Sequence, residues 1–153
     1  MFAAAALMGP DLKSFDMPRH VLFAAIVVVA FGASVGGHHS IAGAYDSTRR
    51  TTIDGVVAEV QFVNPHPFLL VDVRGGSGEL QSWRLEMDNR WELVEVGFAA
   101  TTLKRGDRVV AIGSLARRQP QSMYLLRLDR PEDGFWYEQV GTSPRIGSSR
   151  GRP

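Results

Sequence analysis

The chain has no cysteine among its 153 residues. Disulfides, thiolate metal centres and cysteine nucleophiles are therefore excluded. It also lacks an excess of either charge: 17 Lys and Arg stand against 16 Asp and Glu, a formal net charge of +1. Residues 1–37 hold Lys13, Arg19, Asp11 and Asp16, so the rest of the chain stands at +1 as well. A near-neutral domain exerts no general pull on a polyanion, which argues against nucleic acid as a partner. The apolar run Val21–Phe31 falls short of the roughly 20 residues that a membrane-crossing helix needs. With 44% apolar and 22% charged residues, the composition is that of a folded domain with terminal extensions.

The N-terminal segment has the three-part order of a secretory signal. Met17-Pro-Arg-His20 is a short basic lead, Val21–Phe31 is the apolar core, and Gly32-Ala-Ser-Val-Gly-Gly37 is a run of small residues. Residues 1–37 are read as a signal region whose true start is Met17, with cleavage after Gly36 or Gly37 and export to the periplasm or beyond. Residues 38–50 then form an N-terminal arm, 51–138 a β domain and 139–153 a disordered tail.

Period-two patterning supplies the strands. Val56, Ala58, Val60 and Phe62 are expected to share one face of the first, and Glu59 and Gln61 the other. Asn64-Pro-His-Pro67 interrupts, because two residues without N–H groups cannot sit in a central ladder. Leu69, Val71 and Val73 mark a second strand, Arg74–Gly78 a hairpin, and Gln81, Trp83, Leu85 and Met87 the third strand. Asn89 is placed to cap a short helix, with Trp91, Val94 and Phe98 as its apolar face and Gly97 at its end. Strands over Arg108–Leu115 and Met123–Asp129 complete a β-β-β-α-β-β order. That order predicts a mainly β fold, a five-stranded OB-like Greek-key barrel with one short helix. An open sandwich of the same strands is the alternative.

After the signal, the chain holds only three histidines: His38, His39 and His66. A free amine beside adjacent imidazoles is a competent nitrogen ligand set for Cu(II). Proline-flanked His66 can supply a further nitrogen if the arm folds back onto the first hairpin. These three residues are the candidate metal ligands, with copper or another divalent cation as the candidate cofactor. Glu86 is a further ligand candidate, though a residue in its position more often pairs with Arg84 or Arg117. His66 also has the plainer reading of a turn residue bonded to backbone. Trp83 is assigned to the core. Ser40 has no relay partner, and Gly75–Gly78 opens no helix, so neither a serine nucleophile nor a phosphate loop is read.

His38-His39-Ser40, Asn64-Pro65-His66, Trp83-Arg84-Leu85-Glu86 and Leu103-Lys104-Arg105-Gly106-Asp107-Arg108-Val109 occur in an order that resembles a family of small exported bacterial domains of unknown function. The likeness covers about residues 38–130. The chain departs from it after Glu86, where the family has a longer Gly- and Pro-containing loop before its helix. The resemblance implies a periplasmic OB-like domain and brings no activity with it. The functional expectation is a non-enzymatic exported binding module that takes a divalent metal. The alternative is an OB-type domain whose barrel face binds a saccharide, peptide or envelope protein without metal. No stable membrane span is expected after cleavage. Mass spectrometry of the exported protein is expected to find Gly37 or His38 at its N-terminus, and a start within residues 1–16 would overturn that assignment.

Overall fold

The structure, a computed structural model, describes residues 41–149. A single helical turn, α1 (Ile41–Ala44), leads into β1 (Tyr45–Gln61), β2 (Phe68–Arg74) and β3 (Leu80–Glu86). Helix α2 (Arg90–Glu95) is followed by β4 (Arg108–Ala116), β5 (Ser122–Arg130), β6 (Phe135–Val140) and β7 (Ser143–Ser148). The sheet order is β3-β2-β1-β4-β5-β6-β7, with β3 also paired to β5. All pairings are antiparallel except the short parallel one between β3 and β5. The mainly β fold is as expected, but the sheet has seven strands and is only partly ring-like. No helix among the described residues is long and apolar enough to cross a membrane.

Strand β1 serves two neighbours. Its first part pairs with β4 and its last part with β2, and Gly55 and Val56 pair with both. Ile53, Gly55 and Val57 face inward up to this point. The register then slips between Val57 and Glu59, and Val60 and Phe62 pack against the core beyond it. This corrects the expected face. Val56 is exposed and Val57 is fully buried, because one extra residue at a bulge inverts the inward phase. The strand also begins at Tyr45, inside the segment read as an arm.

Helix α2 is capped as the sequence indicates. Asn89 Oδ1 accepts from Glu92 N at 2.9 Å. At the other end Gly97 takes φ +86°, and the N–H groups of Gly97 and Phe98 donate to Val94 O and Leu93 O. This paired arrangement fixes a contact between the residue before the turn and the one after it, here Leu93 and Phe98, both buried. The expected apolar face was therefore wrong at two of its three residues. Trp91 is 73% exposed and Val94 is exposed, and the Trp91 indole donates to Glu95 Oε1 at 2.9 Å. A six-residue helix is oriented by its C-terminal cap and not by a long stripe.

Phe98 lies 6.1 Å from Phe62, 6.3 Å from Phe135 and 6.2 Å from Tyr137, measured between ring centres. It thus ties α2 to both β1 and β6. Strand β7 and the last two residues of β6 fall in the stretch expected to be a disordered tail. Ile146 packs against the core, and Gly147 lies so close to the Trp136 ring that an added Cβ would fall 2.6 Å from it. Apolar residues among Gly, Ser and Arg were enough to recruit the segment to an available sheet edge.

Buried Asp107 anchors the turn before β4. It accepts from Lys104 N at 3.0 Å and from Arg130 NH1 at 2.7 Å. Gly55 marks the point where β1 passes from β4 to β2. A Cβ there would meet Asp72 O at 2.6 Å and Val71 Cγ1 at 2.7 Å. Backbone at that distance cannot swing aside, so Gly55→Ala is expected to cost about 1–3 kcal/mol. An unchanged urea midpoint would show that the crossing tolerates a side chain.

Candidate functional site

The β1–β2 connection Asn64-Pro-His-Pro67 holds a cis peptide between Asn64 and Pro65. With two N–H groups missing, it binds the rest of the fold through its carbonyls. Pro65 O accepts from Arg90 N and Pro67 O from Met87 N, both at 2.9 Å. His66 Nδ1 lies 3.2 Å from Met87 O. A carbonyl can only accept, so Nδ1 is the donor in this bond, and in the neutral ring Nε2 then carries the lone pair. The plainer reading of His66, a backbone-bonded turn residue, is thus met. The same bond leaves an imidazole nitrogen available to a ligand.

Strand β3 alternates Leu85 inward with Arg84 and Glu86 outward. Glu86 Oε2 accepts from the Tyr45 hydroxyl at 2.7 Å and from Arg84 NH1 at 3.1 Å. The Arg84 guanidinium also lies 4.1 Å over the Phe68 ring, an attraction between cation and ring face. Tyr45 is buried, and its ring centre lies 5.8 Å from that of Tyr124. Burial, then the hydrogen bond to Glu86 and that carboxylate's charge, push the Tyr45 pKa up to about 12. It is therefore a proton donor at neutral pH and no general base. Burial likewise raises Tyr124.

These groups line a cleft of about 700 Å³, within the usual range for small-ligand sites. His66, Glu86, Tyr45 and Arg84 share it with Ile41 of α1 and with Arg117 and Arg118 of the β4–β5 connection. Arg117 bridges the two sides, donating to Ala42 O and Asp46 Oδ2 at 3.3 Å each. The structure therefore brings His66 and Glu86 to one cleft and pairs Glu86 with Arg84. His38, His39 and Ser40 lie outside the described residues. No group of three metal-ligating side chains occurs among the described residues. An imidazole nitrogen that shares a cleft with a carboxylate can coordinate a cation or accept hydrogen bonds.

Tyr45 and Tyr124 were not anticipated. Tyr45 sits in the stretch read as an arm, yet Thr51, Ile53, Gly55 and Val57 continue the alternation backwards in the opposite phase. Two phases within one apolar run are the sequence mark of a bulged strand that extends further than either phase suggests.

Below the His66 loop, Asp88 is buried and accepts from Asn89 N and from Gln139 Nε2. Glu92 Oε2 is buried without a hydrogen-bond partner. Burial first, and then the Asp88 carboxylate, raise the pKa of Glu92. A carboxyl raised on folding binds more protons in the native state, so its contribution falls as pH rises from its ordinary value of 4.5 through the folded value. Glu92→Gln is expected to stabilise the domain at about pH 7. The gain should vanish below pH 4.5. Thermal melts across pH check it, and a gain that persists in acid would refute the role of ionisation.

No curated protein and no solved structure matches the chain. A family model does, over residues 24–122. The match runs from the apolar N-terminal segment through both histidine motifs to the first residue of β5, and it covers most of the chain. The chain belongs to DUF6152, a family of unknown function.

Proposed function

We propose that the mature protein is an exported, non-enzymatic binding module of OB type that takes a divalent metal, copper foremost, through His38, His39 and His66. The carrying observation is that His66 keeps Nε2 available in a cleft it shares with Glu86 and Ile41. A histidine whose other nitrogen donates to a carbonyl has its tautomer and ring orientation fixed, the usual outer-shell arrangement of a metal-bound imidazole. Ile41 follows His39 by two residues. Glu86 is held by Tyr45 and Arg84, so it acts as a fixed charge at the rim and an optional oxygen donor.

The OB assignment rests on the pairing circuit β1-β2-β3-β5-β4-β1, the order in which a five-stranded Greek-key barrel closes. Strands β6 and β7 are then an extension built onto β5. Export rests on the tripartite segment before His38. The alternative, a saccharide or peptide taken without metal, is favoured by the size of the cleft and by Phe68 on its wall.

Calorimetric titration of correctly processed protein with Cu(II), Zn(II) and Ni(II) separates the two. One-to-one copper binding is expected, weakened roughly 10- to 100-fold by His66→Ala. Unprocessed chain should bind more weakly, because its amine is locked in a peptide bond. Affinity unchanged in the His38→Ala, His39→Ala, His66→Ala triple variant would dispose of the metal site.

A further inference from the structure

A second cavity, of about 360 Å³, shares the wall Ala116–Gln119 with the His66 cleft. Its polar lining is Arg49, Trp83, Arg117, Arg118, Gln119 and Gln121, and no Asp or Glu lines it. The His66 cleft differs in holding Glu86. Arg117 is committed to Ala42 and Asp46. Arg49 and Arg118 make no side-chain hydrogen bond or ion pair among the described residues. Asp46 feels the charge of Arg49 but is itself engaged by Thr48 and Arg117.

Two local features build this wall. The β1–β4 register slips between Asp46 and Arg50, so Arg49 lies outside the ladder. Such bulges re-aim side chains. On β3, the Trp83 indole nitrogen is buried with no hydrogen-bond partner. An indole N–H can only donate, and a buried donor without an acceptor is rare in folded proteins. Two arginines without a side-chain partner and the Trp83 side chain thus line one cavity that holds no carboxylate.

We propose that this cavity binds a small molecule through a phosphate or sulfate group. A tetrahedral oxyanion brings the negative charge that this lining lacks, and paired guanidinium groups bind such groups through charge-assisted, often bidentate hydrogen bonds. The site uses none of the histidines, so it stands or falls separately from the metal reading.

Trp83 is its own reporter. The chain has three tryptophans, and Trp91→Phe with Trp136→Phe leaves Trp83 alone. Processed protein carrying both replacements is titrated with inorganic phosphate and with sulfate, against chloride at matched ionic strength. A saturable change in Trp83 fluorescence is expected with phosphate or sulfate, and the tighter of the two identifies the group. Arg49→Gln with Arg118→Gln, both at exposed positions, should weaken it roughly tenfold or more. His66→Ala should leave it unchanged. A response that chloride reproduces, or one that survives loss of both arginines, overturns the proposal. Calorimetry of the wild-type chain against the same anions gives the same decision if the tryptophan replacements impair folding.

Discussion

The parallel pairing of Arg84, Leu85 and Glu86 with Ser122, Met123 and Tyr124 is what turns the sheet back on itself. It is only three residue pairs long, and a further backbone bond runs from Arg84 N to Gln121 O. Gln121 is the one non-glycine among the described residues with positive φ, at +47°. That strained conformation is tolerated where it delivers a carbonyl to the closing strand. Inside the closure Leu85 and Met123 are fully buried, each side chain contributing about 1.5–3 kcal/mol through removal from water. Outside it, alternation leaves Arg84 and Glu86 facing the cleft, with Tyr124 beside them. The apolar contacts that close the ring therefore also place the polar groups of the candidate site.

Closure by β5 is possible because β1 does two jobs on the opposite side. A seventeen-residue strand pairs with β4 near its start and with β2 near its end, and glycine and a bulge let it bend between them. The bulge inverts the inward phase, so Ile53 and Val57 before it and Val60 and Phe62 after it all reach the core. Phe62 then meets Phe98, and Phe98 meets β6. The loop after β1 is fastened to the residues just after β3 by Pro65 O, Pro67 O and His66 Nδ1. His66 is thus positioned by the same tertiary contacts that seat α2, and its imidazole is not free to follow a flexible turn.

What the sequence made legible divides along physical lines. Regular alternation in β2 and β3, the hairpin at Arg74–Gly78, the Asn89 cap and the Gly97 terminus are local signals, and each was read from a few neighbouring residues. The errors lay where tertiary contact decides. A bulge cannot be placed by counting along one strand, so the inward face of β1 was assigned one residue out of phase. The orientation of α2 depends on Leu93 meeting Phe98 through the cap, which outweighed the helical spacing of Trp91 and Val94. Strand β7 has weak propensity and forms because β6 offers an edge and Trp136 a surface for Gly147. Of the candidate site, His66 and Glu86 were visible as residue types. Their common cleft with Tyr45 depends on pairings between residues about 40 apart, which no local pattern encodes.

Donors and acceptors are sorted unequally around the Arg117–Gln119 wall, and this follows from strand geometry. Outward residues of β3 alternate with inward ones, so Glu86 and Arg84 face one cleft while Trp83, one residue earlier, turns away from them. The carboxylate therefore belongs to the His66 side, where Tyr45 and Arg84 already engage it. The opposite side receives Arg49 from the bulge in β1, and Arg118 of the β4–β5 loop lines both cavities; no Asp or Glu lines the smaller one. Two guanidinium groups at one cavity repel each other, and solvent and salt offset part of that repulsion at exposed positions. An anion would offset more of it, because it also supplies acceptors.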